Sequence, residues 1–593
     1  MRSIEIYDKN IEGLKSGIKE INSGIGRIAI LRGVVFILAA ISIYNAVSRS
    51  RLLFGAAGII LVLVFIFLAY IHTKEKDKLK EMELLISINQ EHIKRAQGEW
   101  KGFQDTGEEF LNSNHPFIND LDIFGEGSVF QWINTTKTSF GREKLREILS
   151  FTKVPNEIEK RQKALKELGD KIDFRQKLQV IPQLSKNKVN AADRFIFWAK
   201  EENPWFLSSK AKFVRIIMTS ISVITLLALA IFRIPYSVFF LALTVNGGIL
   251  ILKKKDVEKA LSEIYSFKNS LNIYCRLIET IENEPFKEEF NINIQNALVK
   301  AVKASDEIRE LKMIGEMLFD RMNAFYWIFN AFLMWDFALL ARLEKWKIKN
   351  RDRIGAWLYA LGEMEAYCAL SNVHFDKAEW VLPEITGEEE IEAKEFTHPL
   401  IVPEGVKNSF FLGGEIRTSL ITGSNMSGKS TFLRTTGLNM VFSYLGLPVN
   451  AEAFKTGRMV PYTCMRTKDS LEEGISSFYA EILRVKNIIK ATERGERVFF
   501  LLDEIFKGTN SADRHTGAEM LIKQLMDRSS RGLVSTHDLE LCELEKTDSR
   551  INNLHFKEYY TNNEIKFDYK LRKGKSTTRN AVYLMKMAGI NLE

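Results

Sequence analysis

A glycine-rich segment near residue 425 carries the residue types that phosphate chemistry needs. It reads Gly423-Ser424-Asn425-Met426-Ser427-Gly428-Lys429-Ser430-Thr431 and fits the pattern GxxxxGK[ST]. The glycines let backbone amides turn toward a phosphate, and the N-terminus of a following helix adds a favourable dipole. We expect all nine residues to contact a nucleotide, with Lys429 reaching the β- and γ-phosphates and the Ser430 hydroxyl holding Mg²⁺. A chance glycine-rich turn is the alternative.

Two further segments count against a chance turn. Val498–Leu502 is apolar throughout, which is typical of a strand covered on both faces, and it leads directly to Asp503 and Glu504. We expect Asp503 to bind Mg²⁺ through water and Glu504 to polarise the attacking water as general base. A third predicted strand, 532–535, leads to His537, where a histidine can sense or stabilise a γ-phosphate.

These side chains need a parallel sheet to bring them together. Residues 417–422 predict a short buried strand that ends at the glycine-rich loop. Together with the strands predicted at 498–502 and 532–535 it is expected to form a P-loop sheet, and a histidine after the third strand of such a sheet is a strong signal.

Length and composition bound the rest of the chain. Its 593 residues suffice for three or four domains, and 46% hydrophobic with 27% charged residues excludes wholesale disorder and fibrous repeats. The formal net charge of +8 is too small to indicate nucleic-acid binding by itself. The four cysteines are far apart without a CxxC pair, which argues against a disulfide framework or zinc site and favours a reducing compartment.

Four long apolar runs stand out in the first half of the chain. They are residues 33–48, 52–71, 216–232 and 234–252. The twenty uncharged residues of 52–71 are enough to cross the hydrocarbon core of a bilayer. Spacing pairs the runs into two hairpins, 28–71 and 213–252, and buried core helices are the alternative.

Basic residues flank the outer ends of both hairpins. They are Lys15, Lys19 and Arg27 before the first hairpin, Lys74, Lys76, Lys78 and Lys80 after it, Lys210, Lys212 and Arg215 before the second, and Lys253, Lys254 and Lys255 after it. This bias favours those ends in the cytoplasm, although the loop residues Arg49, Arg51 and Arg233 oppose it. We therefore expect a multi-pass membrane protein with four helices, both termini and all soluble parts being cytoplasmic.

Six segments of the last 200 residues resemble, in order, the ATPase domain of the MutS family of DNA mismatch-repair proteins, which is of the ABC type. They are FTHPLI (396–401), LITGSNMSGKSTFLRTTGLNM (420–440), DSLEEGISSFYAEI (469–482), LLDEIFKGTNSADR (501–514), STHDLEL (535–541) and KGKSTTRNAVYLMKMAGI (573–590). The resemblance implies ATP and Mg²⁺ as cofactors and Lys429, Glu504 and His537 as catalytic residues.

The same resemblance implies a homodimer with composite sites. In such ATPases the segment around Gly474, Ser476 and Ser477 reaches across to the γ-phosphate bound by the partner chain, and 508–510 resembles the loop that links the two sites. We expect membrane helices of the two chains to pack through small residues as well. The candidates are Gly55, Ala56, Gly58, Gly247 and Gly248.

Upstream the resemblance is weaker. Residues 115–149 resemble the opening of the MutS core domain, and the helical pattern of 255–385 resembles its levers. The expected fold class is an α/β P-loop ATPase domain of the ABC type at the C-terminus, preceded by a mainly α-helical core and lever-like region with two transmembrane hairpins. The expected order is an N-terminal cytoplasmic segment (1–27), hairpin 1 (28–71), a helical stalk (72–112), core-like helices (113–212), hairpin 2 (213–252), lever-like helices (253–385) and the ATPase domain (386–593).

The sequence also departs from mismatch-repair proteins. A membrane hairpin and a helix occupy the length where that family carries a mismatch-reading domain with a Phe-x-Glu wedge. Residues 124–126, Phe-Gly-Glu, fit this tripeptide, but inside a core-like segment packing is the better interpretation. A C-terminal helix-turn-helix dimerisation extension is not expected. For adenine stacking, Val406, Phe410 and Phe411 are near the expected place, and none is a clear match.

Two classes of function follow. The first is a membrane-anchored MutS-like ATPase whose ATP cycle is coupled to binding of DNA, with mismatched or branched DNA as candidate forms. The second is an ATP-driven membrane machine or signalling protein that has lost mismatch recognition.

Overall fold

The computed structural model describes residues 2–49, 52–185, 192–202, 204–300, 302–319, 324–402, 405–465, 477–561 and 564–576. Two antiparallel helices open the chain, α1 (Arg2–Arg49) and α2 (Leu52–Gln97). Each is continuous through its apolar run and its polar flank, because no proline interrupts the backbone hydrogen bonding. The expected cytoplasmic segment and stalk are therefore extensions of the hairpin helices, and the stalk helix ends at Gln97 rather than at residue 112.

The polar base of the first hairpin is buried in the helical region. Arg95 donates hydrogen bonds to the carbonyl oxygens of Trp132 at 2.6 Å and Asn134 at 2.8 Å. Tyr7 stacks on His92 with ring centroids 5.1 Å apart and donates to Asp376 Oδ1 at 3.0 Å. These contacts fix the hairpin to the body of the protein.

Small residues in the first hairpin serve its internal packing. A Cβ atom added at Gly58 would lie 3.0 Å from Ile43 Cγ1, and one at Gly55 would lie 3.9 Å from Ala46 Cβ. Gly58 thus lets α1 and α2 approach closely within one chain. A Cβ at Gly247 or Gly248 would meet no described atom within 4 Å.

Helices make up the middle of the chain, as the sequence pattern predicts. They are α3 (Val129–Ile133), α4 (Ser139–Leu149), α5 (Ile158–Asp170), α6 (Ile172–Gln183), α7 (Ala192–Lys200), α8 (Ser209–Phe232), α9 (Tyr236–Leu252), α10 (Lys254–Glu282), α11 (Glu289–Val299), α12 (Ala304–Phe319), α13 (Ala324–Leu333), α14 (Trp335–Asn350) and α15 (Ile354–Asp376). Most residues of α15 are buried, so this helix is the centre of the helical region.

The second apolar pair forms α8 and α9, joined by a short connection that contains Pro235. Among the described residues, three helices are long and apolar enough to cross a membrane: α1, α2 and α8. A fourth span results if α9 and the start of α10, which meet at a 60° bend, are counted together.

The C-terminal part is an α/β domain with two sheets. Its strands are β1 (Glu384–Ile385), β2 (Ile391–Phe396), β3 (Asn408–Leu412), β4 (Thr418–Thr422), β5 (Ala453–Thr456), β6 (Val460–Cys464), β7 (Val498–Asp503), β8 (Arg531–Ser535), β9 (Ile551–Thr561) and β10 (Glu564–Lys573). Its helices are α16 (Lys429–Leu445), α17 (Ser477–Glu493), α18 (Ser511–Asp527) and α19 (Leu544–Thr547).

The six-stranded sheet has the order β10-β9-β4-β8-β7-β6, and β10 alone runs antiparallel to its neighbour. The four-stranded sheet has the order β1-β5-β2-β3. The strands predicted at 417–422, 498–502 and 532–535 are confirmed as β4, β7 and β8, which are adjacent. Their carboxyl ends therefore place the predicted site at one edge.

The α/β domain and the helical region share one apolar core. Trp132 of α3 stacks on Phe442 of α16 with ring centroids 6.2 Å apart, and Arg484 of α17 pairs with buried Asp120 at 3.0 Å. Phe124 is buried against Phe130, as the packing interpretation of this tripeptide predicts, whereas Glu126 is exposed.

Candidate functional site

The glycine-rich loop connects β4 to α16, which begins at Lys429. Gly423 has φ 149° and Gly428 has φ 105°, and a Cβ at Gly423 would lie 2.7 Å from Ser427 Oγ. Glycine is required at both positions because other residues rarely adopt these angles. The buried Ser427 hydroxyl has no hydrogen-bond partner among the described residues.

Lys429 lies beneath this loop with only 4% of its surface exposed. Its Nζ donates to the carbonyl oxygens of Gly423 at 2.9 Å and Ser424 at 3.0 Å, and it lies 3.5 Å from Glu504 Oε1. Burial lowers the pKa of Lys429, while the nearby carboxylates of Glu504 and Asp503 oppose that shift. The ammonium group is thus held by carbonyl oxygens of the same loop that is expected to bind the phosphates.

Glu504 follows the last residue of β7 with a positive φ of 50°. Its Oε1 lies 2.6 Å from His537 Nε2, and its Oε2 lies 2.8 Å from Lys507 Nζ. Burial raises the pKa of Glu504, but the hydrogen bonds and charges of these two partners outweigh it and lower the pKa to about 2. The carboxylate is therefore ionised at neutral pH.

Asp503 and His537 complete the group at this edge. Asp503 pairs with Ser535 of β8 in the sheet and accepts a hydrogen bond from its hydroxyl. His537 Nε2 also lies 2.7 Å from Asn425 Oδ1 and 3.4 Å from Lys429 Nζ. The structure therefore brings the loop, Lys429, Glu504 and His537 into direct contact.

The remaining predicted residues are placed less fully. Ser430 and Thr431 are in the first turn of α16 and line the cavity beside the loop. Gly474 and Ser476 lie outside the described residues, and Ser477 is described only as the first residue of α17. The partner-facing segment is therefore still a prediction from the sequence.

A cavity of about 550 Å³ lies beside the glycine-rich loop. Its lining also includes His398, Ile401, Val406 and Tyr569. Burial, with a smaller effect of Arg434, lowers the pKa of His398 to about 4, so this imidazole is neutral at pH 7. The wall is thus suited to a flat, uncharged ring.

The cavity corrects the sequence-based search for a base-stacking aromatic. Val406 does line it, whereas Phe410 is packed in the core against Phe396 and Phe432, and Phe411 is not among the lining residues. Tyr569 lines the cavity instead, with Cδ1 only 3.2 Å from where a Gly428 Cβ would be. No local sequence signal marks Tyr569, because it comes from distant β10, in an irregular stretch where Asn408 of β3 donates to its carbonyl oxygen at 2.9 Å.

A mainly helical region joined to a C-terminal α/β sheet domain fits a MutS-like architecture. Residues 419–593 match the family model MutS domain V. The chain is 28% identical over 369 residues to DNA mismatch repair protein MutS of Persephonella marina, covering 58% of this chain and 41% of that protein. It is 29% identical over 262 residues to the MutS of Aquifex pyrophilus, covering 43% and 30%.

A third relative, the DNA mismatch repair protein MutS of Bacillus mycoides, is 31% identical over 224 residues, which are 36% of this chain and 24% of that protein. In each of these comparisons the chain spans less than half the length of the curated relative. Together the matches show that the C-terminal half of the chain is similar to proteins of the MutS family, with MutS domain V matched over residues 419–593.

Proposed function

We propose that this protein is a membrane-anchored ATPase that binds and hydrolyses ATP with Mg²⁺ and couples the cycle to DNA binding. The observation that carries the proposal is the contact of Lys429, Glu504 and His537 at the end of the glycine-rich loop. The match to MutS domain V supports it, and the similarity to DNA mismatch repair proteins supports the DNA role.

The residues present suit both cofactors. The Ser427 hydroxyl, which has no partner in the described part of the chain, and the amides of a loop at a helix N-terminus are anion-binding groups. The adjoining cavity has room for a nucleoside. The oxygens of Ser430 and Asp503 are ligands of the kind that Mg²⁺ prefers. When bound, the ion neutralises charge that develops on the phosphates.

The protein groups then have separate tasks. Lys429 would exchange the loop carbonyls for phosphate oxygens. His537, which contacts Asn425 and lies 3.4 Å from Lys429 Nζ, would contact the γ-phosphate. Glu504 orients a water and accepts its proton. The cavity wall with Val406 and Tyr569 holds the base.

The DNA role has a direct measurement. We expect duplex DNA to bind the solubilised protein, with an affinity that falls steeply as salt rises, because phosphate contacts release counterions. A mismatch is expected to change the affinity by less than about threefold, which is below the usual ~1 kcal/mol for a base-specific contact. The reason is that Phe124, the aromatic of the tripeptide that fits the Phe-x-Glu wedge, is buried and cannot contact a base. Matched and mismatched duplexes should be titrated across a salt series.

The alternative function is an ATP-driven membrane machine that does not read DNA. The two hairpins favour it, since their apolar side chains are extensively exposed. Absence of DNA binding at low salt, with ATP turnover retained, would support this second function and contradict the first.

For the membrane anchor, we propose two hairpins that enter and leave from the cytoplasmic side. Cysteine introduced at Lys76 should resist a membrane-impermeant thiol reagent in intact cells, and cysteine at Leu52 or Tyr236, near the hairpin tips, should react. The four native cysteines are buried, so the parent protein provides a low background. Labelling at position 76 would refute the double-hairpin topology.

A further inference from the structure

Helix α13 (Ala324–Leu333) is a short apolar helix that packs against the second hairpin. Tyr326 and Asn330 are buried, whereas Trp327, Ile328 and Phe329 are 54%, 60% and 60% exposed. Ten residues give a helix of about 15 Å, half the thickness of a hydrocarbon core. The helix is therefore too short to span a membrane, yet it presents three large apolar side chains outward.

The C-terminal end of α13 is capped by the two hairpin helices. Asn246 of α9 donates to the Ala331 carbonyl oxygen at 2.7 Å, and Thr219 of α8 donates to the Leu333 carbonyl oxygen at 3.1 Å. The last carbonyls of a helix have no partner within the helix. In hydrocarbon no water is present to donate hydrogen bonds to these carbonyl oxygens, so protein side chains must donate them.

The position of Asn246 sets the depth of this contact. It lies six residues before Leu252, the end of α9, and Lys253 follows. At 1.5 Å per residue, the capped end of α13 lies about 9 Å inside the apolar segment. Asn246 is buried and also donates to Ser222 of α8, so the polar contacts are enclosed between helices.

A polar turn at Met334 connects this end of α13 to α14. Met334 has a positive φ of 51°, and the buried Asp336 carboxylate accepts from Tyr326 Oη at 2.5 Å and Asn330 Nδ2 at 2.7 Å. The backbone N–H of Asp336 donates to Asn330 Oδ1 at 3.0 Å. Polar groups at the turn are thus partnered inside the protein, as irregular backbone at membrane depth requires.

We propose that α13 is a re-entrant segment whose face of Trp327, Ile328 and Phe329 contacts lipid acyl chains of the cytoplasmic leaflet. Lipid is proposed as the partner of this face because the face continues the exposed apolar surface of α8 and α9, which includes Ile224 and Leu241. The inference depends on the proposed embedding of the second hairpin. It adds a lipid-contacting element outside the four apolar runs.

Spin labels in liposomes can test this proposal on the full-length protein. Ile328→Cys and Phe329→Cys report on α13, Ile224→Cys on α8, and Met520→Cys on the exposed surface of α18. We expect the labels at 328 and 329 to collide with oxygen several-fold more often, relative to a water-soluble nickel chelate, than the label at 520. Their ratio should approach that at 224.

The control positions separate the failure of this inference from failure of the membrane anchor. If the ratio of oxygen to nickel-chelate collisions is typical of water at 328 and 329 but typical of lipid at 224, the proposal of a re-entrant segment is overturned and the membrane anchor is not. Water-like values at 224 as well would overturn both proposals. Labels shielded from both reagents, with spin–spin broadening, would mean that a second copy of the chain covers the face, and would also overturn lipid contact.

A matched pair of variants tests the capping contacts. Thr219→Val removes the donor to Leu333, whereas Thr225→Val removes a hydroxyl that donates only to carbonyls of its own helix. In the background of Phe329→Cys, we expect the first variant to shift the label toward water and the second to leave it unchanged. An equal response to both variants would contradict anchoring of α13 through its cap.

Discussion

Replacing Glu504 by glutamine is expected to lower ATP turnover by at least about a hundredfold while ATP binding persists. Glutamine keeps the size and hydrogen-bonding capacity of the side chain, but it cannot accept a proton from water. Binding rests on other groups, mainly the loop and Lys429. Turnover and nucleotide affinity should be measured on the same full-length preparation.

Two variants make the result specific. Glu519→Gln removes a carboxylate of α18 that pairs with Lys523, and it should leave turnover unchanged. Lys429→Ala should instead weaken nucleotide binding itself, because the phosphates lose their buried cation. Normal turnover in Glu504→Gln would remove Glu504 from the role of general base.

The contacts of Glu504 suggest how that role is controlled. With a pKa of about 2, its carboxylate is a weak base as long as His537 and Lys507 hold it. A γ-phosphate placed near Lys429 attracts the same cationic and donor groups. We infer that phosphate binding loosens the pairs around Glu504 and raises its basicity where the water is attacked.

Local signals in the sequence sufficed for the centre of this site. Strand β7 is an apolar run, and β4 and β8 are short buried strands that mix apolar with polar residues. Functional residues closely follow each of the three, and parallel pairing brings their ends together. Spacing alone thus predicted the meeting of Lys429, Glu504 and His537. Contacts made by distant elements had no such signal: Tyr569 reaches the cavity only through β10.

Helix α13 was not predicted as a membrane element because it is shorter than a membrane span. The apolar stretch of α13 is about half of a membrane span, so a search for long uncharged runs passes over it. Gly58 has the residue type of a helix–helix contact between chains, yet its neighbour is Ile43 of the same chain. Composition predicts close packing at such a position and does not identify the partner.

The proposed dimer rests on the segment that precedes α17. In the structure, the start of this helix is tied to the loop after Glu504: Phe478 packs on Phe506, and Glu481 accepts a hydrogen bond from the Phe506 backbone N–H. We infer that, in a dimer with composite sites, a change at the partner's nucleotide would reach the loop of Glu504 through α17. We propose that Ser476 and Ser477, at the N-terminal side of this connection, contact the γ-phosphate held by a partner chain.

Confinement to a membrane favours such a pair. Anchored chains have a higher effective concentration than free ones, and Gly247 and Gly248 leave an open strip on α9 where helices of two chains can approach. Because Trp132 and Phe442 join the α/β domain to the helical region, the test should use the full-length protein.

Two inactive variants should restore activity when their chains are mixed. Lys429→Ala disables the nucleotide-binding half of its own site, and Ser476→Arg disables the half offered to the partner. Each homodimer then has two defective sites, whereas a mixed dimer has one intact site. With random mixing and independent sites, about a quarter of the parental turnover should return.

The matched control mixes Lys429→Ala with Glu504→Gln chains. Both changes are in the nucleotide-binding half of the site. In a mixed dimer each chain therefore has a defective nucleotide-binding half, neither site is intact, and turnover should stay low. Recovery in the first mixture alone therefore requires that Ser476 act across the dimer. If co-expressed Lys429→Ala and Ser476→Arg chains associate but recover no turnover, or if Ser476→Arg alone hydrolyses ATP normally, each chain works by itself and the composite site is wrong.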